Sequence, residues 1–295
     1  TAATRSRRVT VEVVTSCHDL AGRLATVRDG GGTVGFVPTM GYLHEGHGSL
    51  VDASVAATDL TVVSVFVNPL QFGAGEDFAD YPRDLAADVA LCEARGADLV
   101  FDPAVAEVYP DGSMESSTPV GVVARPLEGE CRPTHFVGVV EVVSRLFRTV
   151  GPCHAFFGEK DFQQLQVVRR LVGDLGLPVE VVSCATSREP DGLARSSRNT
   201  YLSDAERAAA PVLYRTLTAA ADAVARPGWD RADVEVMMVA RLAAEPRATT
   251  DYAVVVDPTT LGPPVDLRPG DDLRLLVACW FGRARLIDNV GAVAG

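Results

Sequence analysis

The feature that most constrains this chain is an alternation. Short runs rich in β-branched residues recur through its first 185 positions, at Thr33–Val37, Thr61–Val67, Asp98–Phe101, Cys153–Phe157 and Val179–Cys184. Between them lie stretches with helical spacing of apolar residues: Ser49–Ala57, Asp84–Arg95, Val137–Val150 and Phe162–Leu175. Strands that are apolar throughout are buried on both faces. Alternating with helices, they predict βαβ units around a parallel sheet with right-handed crossovers. The expected fold class is α/β, a Rossmann-like doubly wound parallel sheet. Ligands in such folds bind beyond the carboxyl ends of the strands. The residues that follow each strand are therefore where chemistry is sought.

After Cys184 the pattern changes. Thr186–Ser203 is polar and irregular, and two Ala-rich helical stretches follow at Asp204–Ala225 and Asp230–Ala244. Tyr252–Val256, Leu273–Phe281 and Ala284–Ile287 then read as antiparallel strands. This predicts a Rossmann-like domain over 1–185 and a smaller α+β C-terminal domain over 186–295.

Charge and cysteine usage exclude several classes. Lys+Arg number 27 and Asp+Glu 39, a net charge of −12. Nucleic-acid binding depends on neutralising phosphates, and beyond the Arg5–Arg8 cluster there is no basic run. No nucleic-acid partner is expected. The six cysteines include no C-x-x-C pair, which argues against a zinc ribbon or a disulfide scaffold. They read as reduced thiols of a cytoplasmic protein. No apolar run approaches the ~18 residues of a membrane span, so no membrane partner is expected. The first residues lack a signal-peptide core, and a start at Thr1 suggests a trimmed terminus.

Some motif matches fail on context. Gly30, Gly32 and Gly35 match G-x-G-x-x-G by letter, but they precede a strand instead of following one. His44-Glu45-Gly46-His47 begins like H-E-x-x-H, yet Gly48 occupies the fifth place. No P-loop and no G-x-S-x-G elbow is present.

Four segments survive. Pro38-Thr39-Met40-Gly41-Tyr42-Leu43-His44-Glu45-Gly46-His47 follows the first predicted strand and leads into a helix. Helix N-termini favour anions, and His44 and His47 would share a face there. Gly46 would let a flat ring approach the backbone. The competing reading is a corner with two surface histidines. Gly158-Glu159-Lys160-Asp161 follows the strand Cys153–Phe157. Lys160 suits phosphate or is simply solvated. Asp161 is an N-cap or an acceptor for ribose hydroxyls. Arg195-Ser196-Ser197-Arg198-Asn199 is a phosphate grip on a loop or a polar linker. Asn68 and Gln71, also beyond a strand, are uncharged hydrogen-bonders. Gln164 lies one helical turn beyond Lys160, with a solvent-facing role as its alternative.

The H-x-G-H segment and the basic serine loop resemble the nucleotidyltransferase superfamily. The match is closer to one family. Pro38-Thr39-Met40-Gly41, Val67-Asn68-Pro69-Leu70-Gln71-Phe72, Arg132-Pro133-Thr134-His135-Phe136, Gly158-Glu159-Lys160-Asp161-Phe162-Gln163-Gln164, Ser196-Ser197-Arg198-Asn199 and Leu286-Ile287-Asp288-Asn289 resemble the pantothenate synthetase (pantoate–β-alanine ligase) family, in the family's order.

That resemblance implies an ATP- and Mg²⁺-dependent, AMP-forming ligase joining pantoate to β-alanine through a pantoyl adenylate. It implies a cytoplasmic homodimer, with the C-terminal domain as a lid and Gly73–Tyr81 as a mobile gate. By resemblance His44, His47, Lys160, Ser196, Ser197 and Arg198 hold the phosphates, with His47 as the acid. Asp161 takes the ribose, and Pro38, Thr39, Met40, Gly41, Gly46, Gly158, Ser187 and Arg195 complete the ATP set. Gln71 and Gln164 hold pantoate, Gln71 also lies near β-alanine, and Asn68 and Arg132 belong to the same set. The sequence departs from the family at Arg195, where Leu or Met is usual, and at Ser187, where an aliphatic residue is usual. Asp88, flanked by Ala87 and Leu91, is not carried over as a metal ligand. Mg²⁺ is expected to arrive with ATP. The alternatives are another adenylyltransferase, including a relative of the aminoacyl-tRNA synthetases, and a nucleotide sensor or inactive relative.

Overall fold

The computed structural model describes residues 10–72, 78, 81–112, 116 and 118–295. The expected gate at Gly73–Tyr81 lies outside the described residues except for Phe78 and Tyr81. The chain forms two compact units. One holds the described residues up to Val120, with Arg132–Phe157 and Val167–Cys184; the other holds Gly121–Cys131, Gly158–Gln166 and Ala185–Gly295. Two segments from before position 185 thus group with the C-terminal part. The reason is polar bonding within the second unit, described below.

Among the described residues the strands are β1 (Glu12–Val14), β2 (Val34–Thr39), β3 (Leu60–Val65), β4 (Leu99–Phe101), β5 (Cys153–Gly158), β6 (Val179–Cys184), β7 (Ala248–Val256), β8 (Asp272–Phe281) and β9 (Ala284–Val293). The α-helices are α1 (Cys17–Asp29), α2 (Glu45–Ala57), α3 (Leu85–Arg95), α4 (Val105–Val108), α5 (Glu128–Cys131), α6 (His135–Val150), α7 (Phe162–Leu175), α8 (Asp204–Ala209), α9 (Val212–Val224) and α10 (Arg231–Ala243).

In the first unit the sheet order is β1-β4-β3-β2-β5-β6. The β1/β4, β4/β3, β3/β2 and β2/β5 registers are all parallel, as the apolar strands predict. Val37, Val63, Val100 and Phe156 are buried on the sheet with Leu50 and Val51 of α2. Strand order runs one way from β2 through β3 and the other way through β5. The residues after β2 therefore leave the sheet at the switch point, where ligands of such folds bind. β1 and α1 were not anticipated. β1 is only three residues long, and α1 opens at Ser16, whose side chain accepts the Asp19 N–H at 3.1 Å.

The second unit contains the antiparallel sheet β7-β8-β9. Leu213 and Leu217 of α9 and Met238 and Leu242 of α10 are buried with Leu275, Val277 and Phe281 of β8. Each such side chain contributes roughly 1.5–3 kcal/mol by leaving water. The helix expected over Asp204–Ala225 is two helices. Pro211 follows Ala210 at the break, and proline has no N–H to continue a helix.

Candidate active site

The first cluster lies beyond β2, within the first unit. Thr39 Oγ1 donates to the Ser64 carbonyl at 2.6 Å and accepts the Gly41 N–H at 3.1 Å. Gly41 has φ +79°, and a Cβ there would sit 2.8 Å from Val65 Cγ1. Only glycine fits both conditions. Tyr42 follows at φ +53°, a conformation that costs a non-glycine residue about 1–3 kcal/mol and persists only where its surroundings enforce it. Asp88 of α3 enforces it. Its buried carboxylate accepts the Tyr42 N–H at 2.9 Å on one oxygen and the Leu43 N–H at 2.6 Å on the other. Burial raises the Asp88 carboxyl above its ordinary range, while these two N–H groups pull it down less strongly.

This fold-back delivers His44 and His47 to the start of α2. His44 is the N-cap. Its Nδ1 accepts the Gly46 N–H at 3.1 Å, and His47 Nδ1 accepts the His44 N–H at 3.2 Å. The pair is a capping box built from imidazoles, with ring centroids 4.1 Å apart. Because both Nδ1 atoms accept, each neutral ring carries its proton on Nε2. Both rings are half-buried at the positive end of a helix dipole. The intervening Glu45 pairs with Arg95.

Beyond β3, Asn68 is fully buried. Its Oδ1 accepts the Tyr109 hydroxyl at 2.8 Å and the Leu70 N–H at 3.3 Å, and its Nδ2 donates to the Gly138 carbonyl at 3.0 Å. It anchors the 3-10 turn Pro69–Gln71. The turn sits so close to α6 that a Cβ on Gly138 would clash with the Leu70 carbonyl. Gln71 is 8% exposed, and among the described residues its side-chain amide has no hydrogen-bond partner. Arg132, half-buried, lies in the same unit.

The second unit holds the other cluster. Lys160 stands in the 3-10 turn Glu159–Asp161 that precedes α7, its Nζ 3.5 Å from Asp161 Oδ1. Asp161 is the last residue of that turn and directly precedes α7. The two glutamines that follow differ sharply. Gln163 is buried: its Oε1 accepts the Glu128 N–H at 3.0 Å, and its Nε2 donates to the carbonyls of Val123 at 2.9 Å and Pro126 at 2.7 Å. Gln164 is half-buried, and its amide has no hydrogen-bond partner among the described residues. Glu128 in turn pairs with Arg285 and accepts the Tyr252 hydroxyl at 2.9 Å. These bonds are why residues 121–131 and 158–166 group with the C-terminal part.

The basic loop is the end of a small hairpin, with Arg188 bridged to Ala194. The Arg195 N–H donates to the Ser187 carbonyl at 2.9 Å, and its guanidinium pairs with Glu189 at 3.1 Å. Ser196 caps the 3-10 turn Ser197–Tyr201 by accepting the Arg198 N–H at 3.3 Å. The Arg198 guanidinium has no ion pair among the described residues. So one cation of this loop is neutralised in place, and the other is available to an anion. Nor is there, among the described residues, a group of three or more His, Cys, Asp or Glu side chains able to hold a metal ion. Each oxygen of Asp88 accepts one main-chain N–H.

Comparison with known proteins decides what these clusters belong to. The family model for pantoate–β-alanine ligase matches residues 12–291. The chain belongs to the pantoate–β-alanine ligase family. A pantothenate synthetase of Herpetosiphon aurantiacus is 52% identical over 259 residues, covering 87% of this chain and 92% of the relative. One from Agrobacterium fabrum is 48% identical over 281 residues, 95% of each. The crystal structure of pantothenate synthetase from Thermus thermophilus superposes with a TM-score of 0.87 at 49% identity, over 95% of this chain and 99% of that one. A pantoate–β-alanine ligase of Francisella tularensis, complexed with a β,γ-ATP compound and β-alanine, gives 0.76 at 29% identity over 95% and 97%. Sequence reasoning missed three supports of the candidate site. Asp88, Tyr109 and Gly138 were not tied to it, because each acts on a residue distant in the chain.

Proposed function

We propose that this chain makes pantothenate from pantoate, β-alanine and ATP. In the first step a pantoate carboxylate oxygen bonds to the α-phosphorus of ATP, and the bond from that phosphorus to the bridging oxygen breaks. Pantoyl adenylate and pyrophosphate result. In the second step the β-alanine amine bonds to the acyl carbon and loses a proton as AMP departs. Both reactants of the first step are anions. The enzyme's main tasks are therefore alignment and neutralisation of charge.

The observation that carries this reading is the imidazole capping box. Two neutral rings, held by main-chain N–H groups, present Nε2–H donors at the positive end of α2. Such donors stabilise phosphate charge as it builds without first losing a proton. His44 and His47 take the phosphates; His47, the acid by family resemblance, here acts as an Nε2–H hydrogen-bond donor to the departing pyrophosphate, because a neutral imidazole does not give up its remaining proton. Lys160, Ser196, Ser197 and Arg198 act on ATP phosphates, and Asp161 takes the ribose. Pro38–Gly41, Gly46, Gly158, Ser187 and Arg195 complete the nucleotide contacts through backbone and surface. Gln71 and Gln164 hold pantoate, each with a side-chain amide unused by the described residues. Asn68 supports Gln71 from behind, and Arg132 serves the acid substrates.

ATP enters as its magnesium complex, with the ion held by phosphate oxygens and water. The working unit is a homodimer in the cytoplasm, a compartment in keeping with six free cysteines. No helix of the described residues is long and apolar enough to cross a membrane.

Pyrophosphate exchange tests the adenylate route. Labelled pyrophosphate should enter ATP only when pantoate is present and without need of β-alanine. Exchange that requires β-alanine, or that ignores pantoate, would overturn the route.

A further inference from the structure

Two adjacent residues of β9 hold both phosphate-binding segments of the second unit. Asn289 is buried, and its Nδ2 donates to the carbonyls of Glu159 at 3.0 Å and Lys160 at 2.8 Å. Its Oδ1 accepts Arg274 Nε at 2.7 Å. Arg274 also pairs with Glu159 at 3.1 Å and stacks 4.1 Å from the Phe162 ring centroid. The turn that carries Lys160 is thus fixed from beneath by one amide and one guanidinium. Asp288 is equally buried, and successive strand residues point to opposite faces. Its carboxylate grips Arg188 in a fork, at 2.7 and 2.9 Å. Arg188 donates on to the Gly192 carbonyl at 3.0 Å and lies 4.0 Å over the Tyr214 ring. It is therefore the rigid base of the hairpin from which Arg195–Arg198 extends. Asn289 and Asp288 are further coupled, since the Asn289 N–H donates to Asp288 Oδ1 at 2.8 Å.

We infer that Asp288 and Asn289 are a positioning pair that sets the separation between Lys160 and the Ser196–Arg198 loop, and so tunes nucleotide binding without touching the nucleotide. The inference rests on the phosphate roles proposed above. Both side chains are buried and spend their polar atoms on the protein itself. A rigid strand is a better ruler than a loop, and small misplacements of charged donors cost large factors in rate.

Asn289→Asp is the sharpest variant. It keeps the shape and the acceptor for Arg274, removes both N–H donors and faces the two carbonyls with an oxygen. The KM for ATP should rise about tenfold or more, while the KM for β-alanine stays within about twofold. Asp288→Asn, which keeps one oxygen for Arg188 and weakens the fork, should show the same split to a lesser degree. It also serves if Asn289→Asp folds poorly. Equal increases in both KM values, or no change in either with the fold intact, would overturn the pairing. Wild-type protein measured alongside separates the two ideas. If wild type forms no AMP from ATP, pantoate and β-alanine together, the ligase reading fails. If wild type is active and the variants match it, only the positioning pair fails.

Discussion

His47 Nδ1 accepts the backbone N–H of His44 at 3.2 Å. That single bond fixes the ring, selects its tautomer and caps the helix. The same residue is thus structural through one nitrogen, and in the role proposed above it meets the phosphates through the other. His47→Ala should cut the rate of pantoyl adenylate formation by about 10²–10³, the size of one lost transition-state donor. Loss of the cap should cost about 1 kcal/mol. Single-turnover rates and a denaturant melt separate the two effects. A wild-type adenylation rate would remove His47 from the chemistry.

Asp88 gives a pH signature. Its carboxylate accepts the N–H groups of Tyr42 and Leu43, so protonation loosens the loop that carries His44. Adenylation should fall as pH drops through the Asp88 pKa, which burial raises. Stability follows the opposite sign. With the folded pKa above the unfolded value, the Asp88 contribution is present below the unfolded pKa and is lost as pH rises through the folded one. Wild-type stability relative to Asp88→Asn should therefore fall as pH rises across that window. Thermal melts over the acid range test this, and a relative gain for wild type with rising pH would contradict it.

The glutamines should separate by role. Gln71→Ala should raise the KM for pantoate about tenfold, the value of one hydrogen bond of about 1 kcal/mol or slightly more, with little change in ATP binding or melting temperature. Gln163→Ala should do the reverse. It leaves the Val123 and Pro126 carbonyls and the Glu128 N–H without their partner, at about 1–3 kcal/mol of stability. Equal effects of Gln71→Ala on ATP and pantoate would place Gln71 outside the acid pocket.

Arg195 departs from the family pattern, and its guanidinium is held by Glu189 at 3.1 Å. Partly exposed pairs of this kind contribute about 0–1 kcal/mol. Arg195→Met should therefore keep kcat/KM for ATP within about threefold of wild type, an effect of similar size to that pair. A hundredfold loss would mean that the guanidinium leaves Glu189 to bind phosphate.

The strands β2–β6 were legible because each is a continuous apolar run bounded by polar residues. The histidine, lysine and serine–arginine segments were legible because each follows a strand or breaks a helical pattern. The rest depends on contacts across long chain separations. Asp88 reaches Tyr42 across 46 positions, and Glu128 reaches Arg285 across 157. Nothing local marks either as a prop. Gln163 and Gln164 are identical letters on one helix, and only packing reveals which one is consumed by the fold. The break at Pro211 was readable, since proline forbids the helix expected across it.

Product analysis tests the central claim most directly. The protein is incubated with ATP, Mg²⁺ and pantoate, with and without β-alanine, and AMP, ADP, pyrophosphate and pantothenate are resolved. AMP and pantothenate should accumulate in equal amounts only with all substrates present. ADP in place of AMP would contradict attack at the α-phosphate. Saturable ATP binding with no product would contradict the ligase and leave a nucleotide sensor.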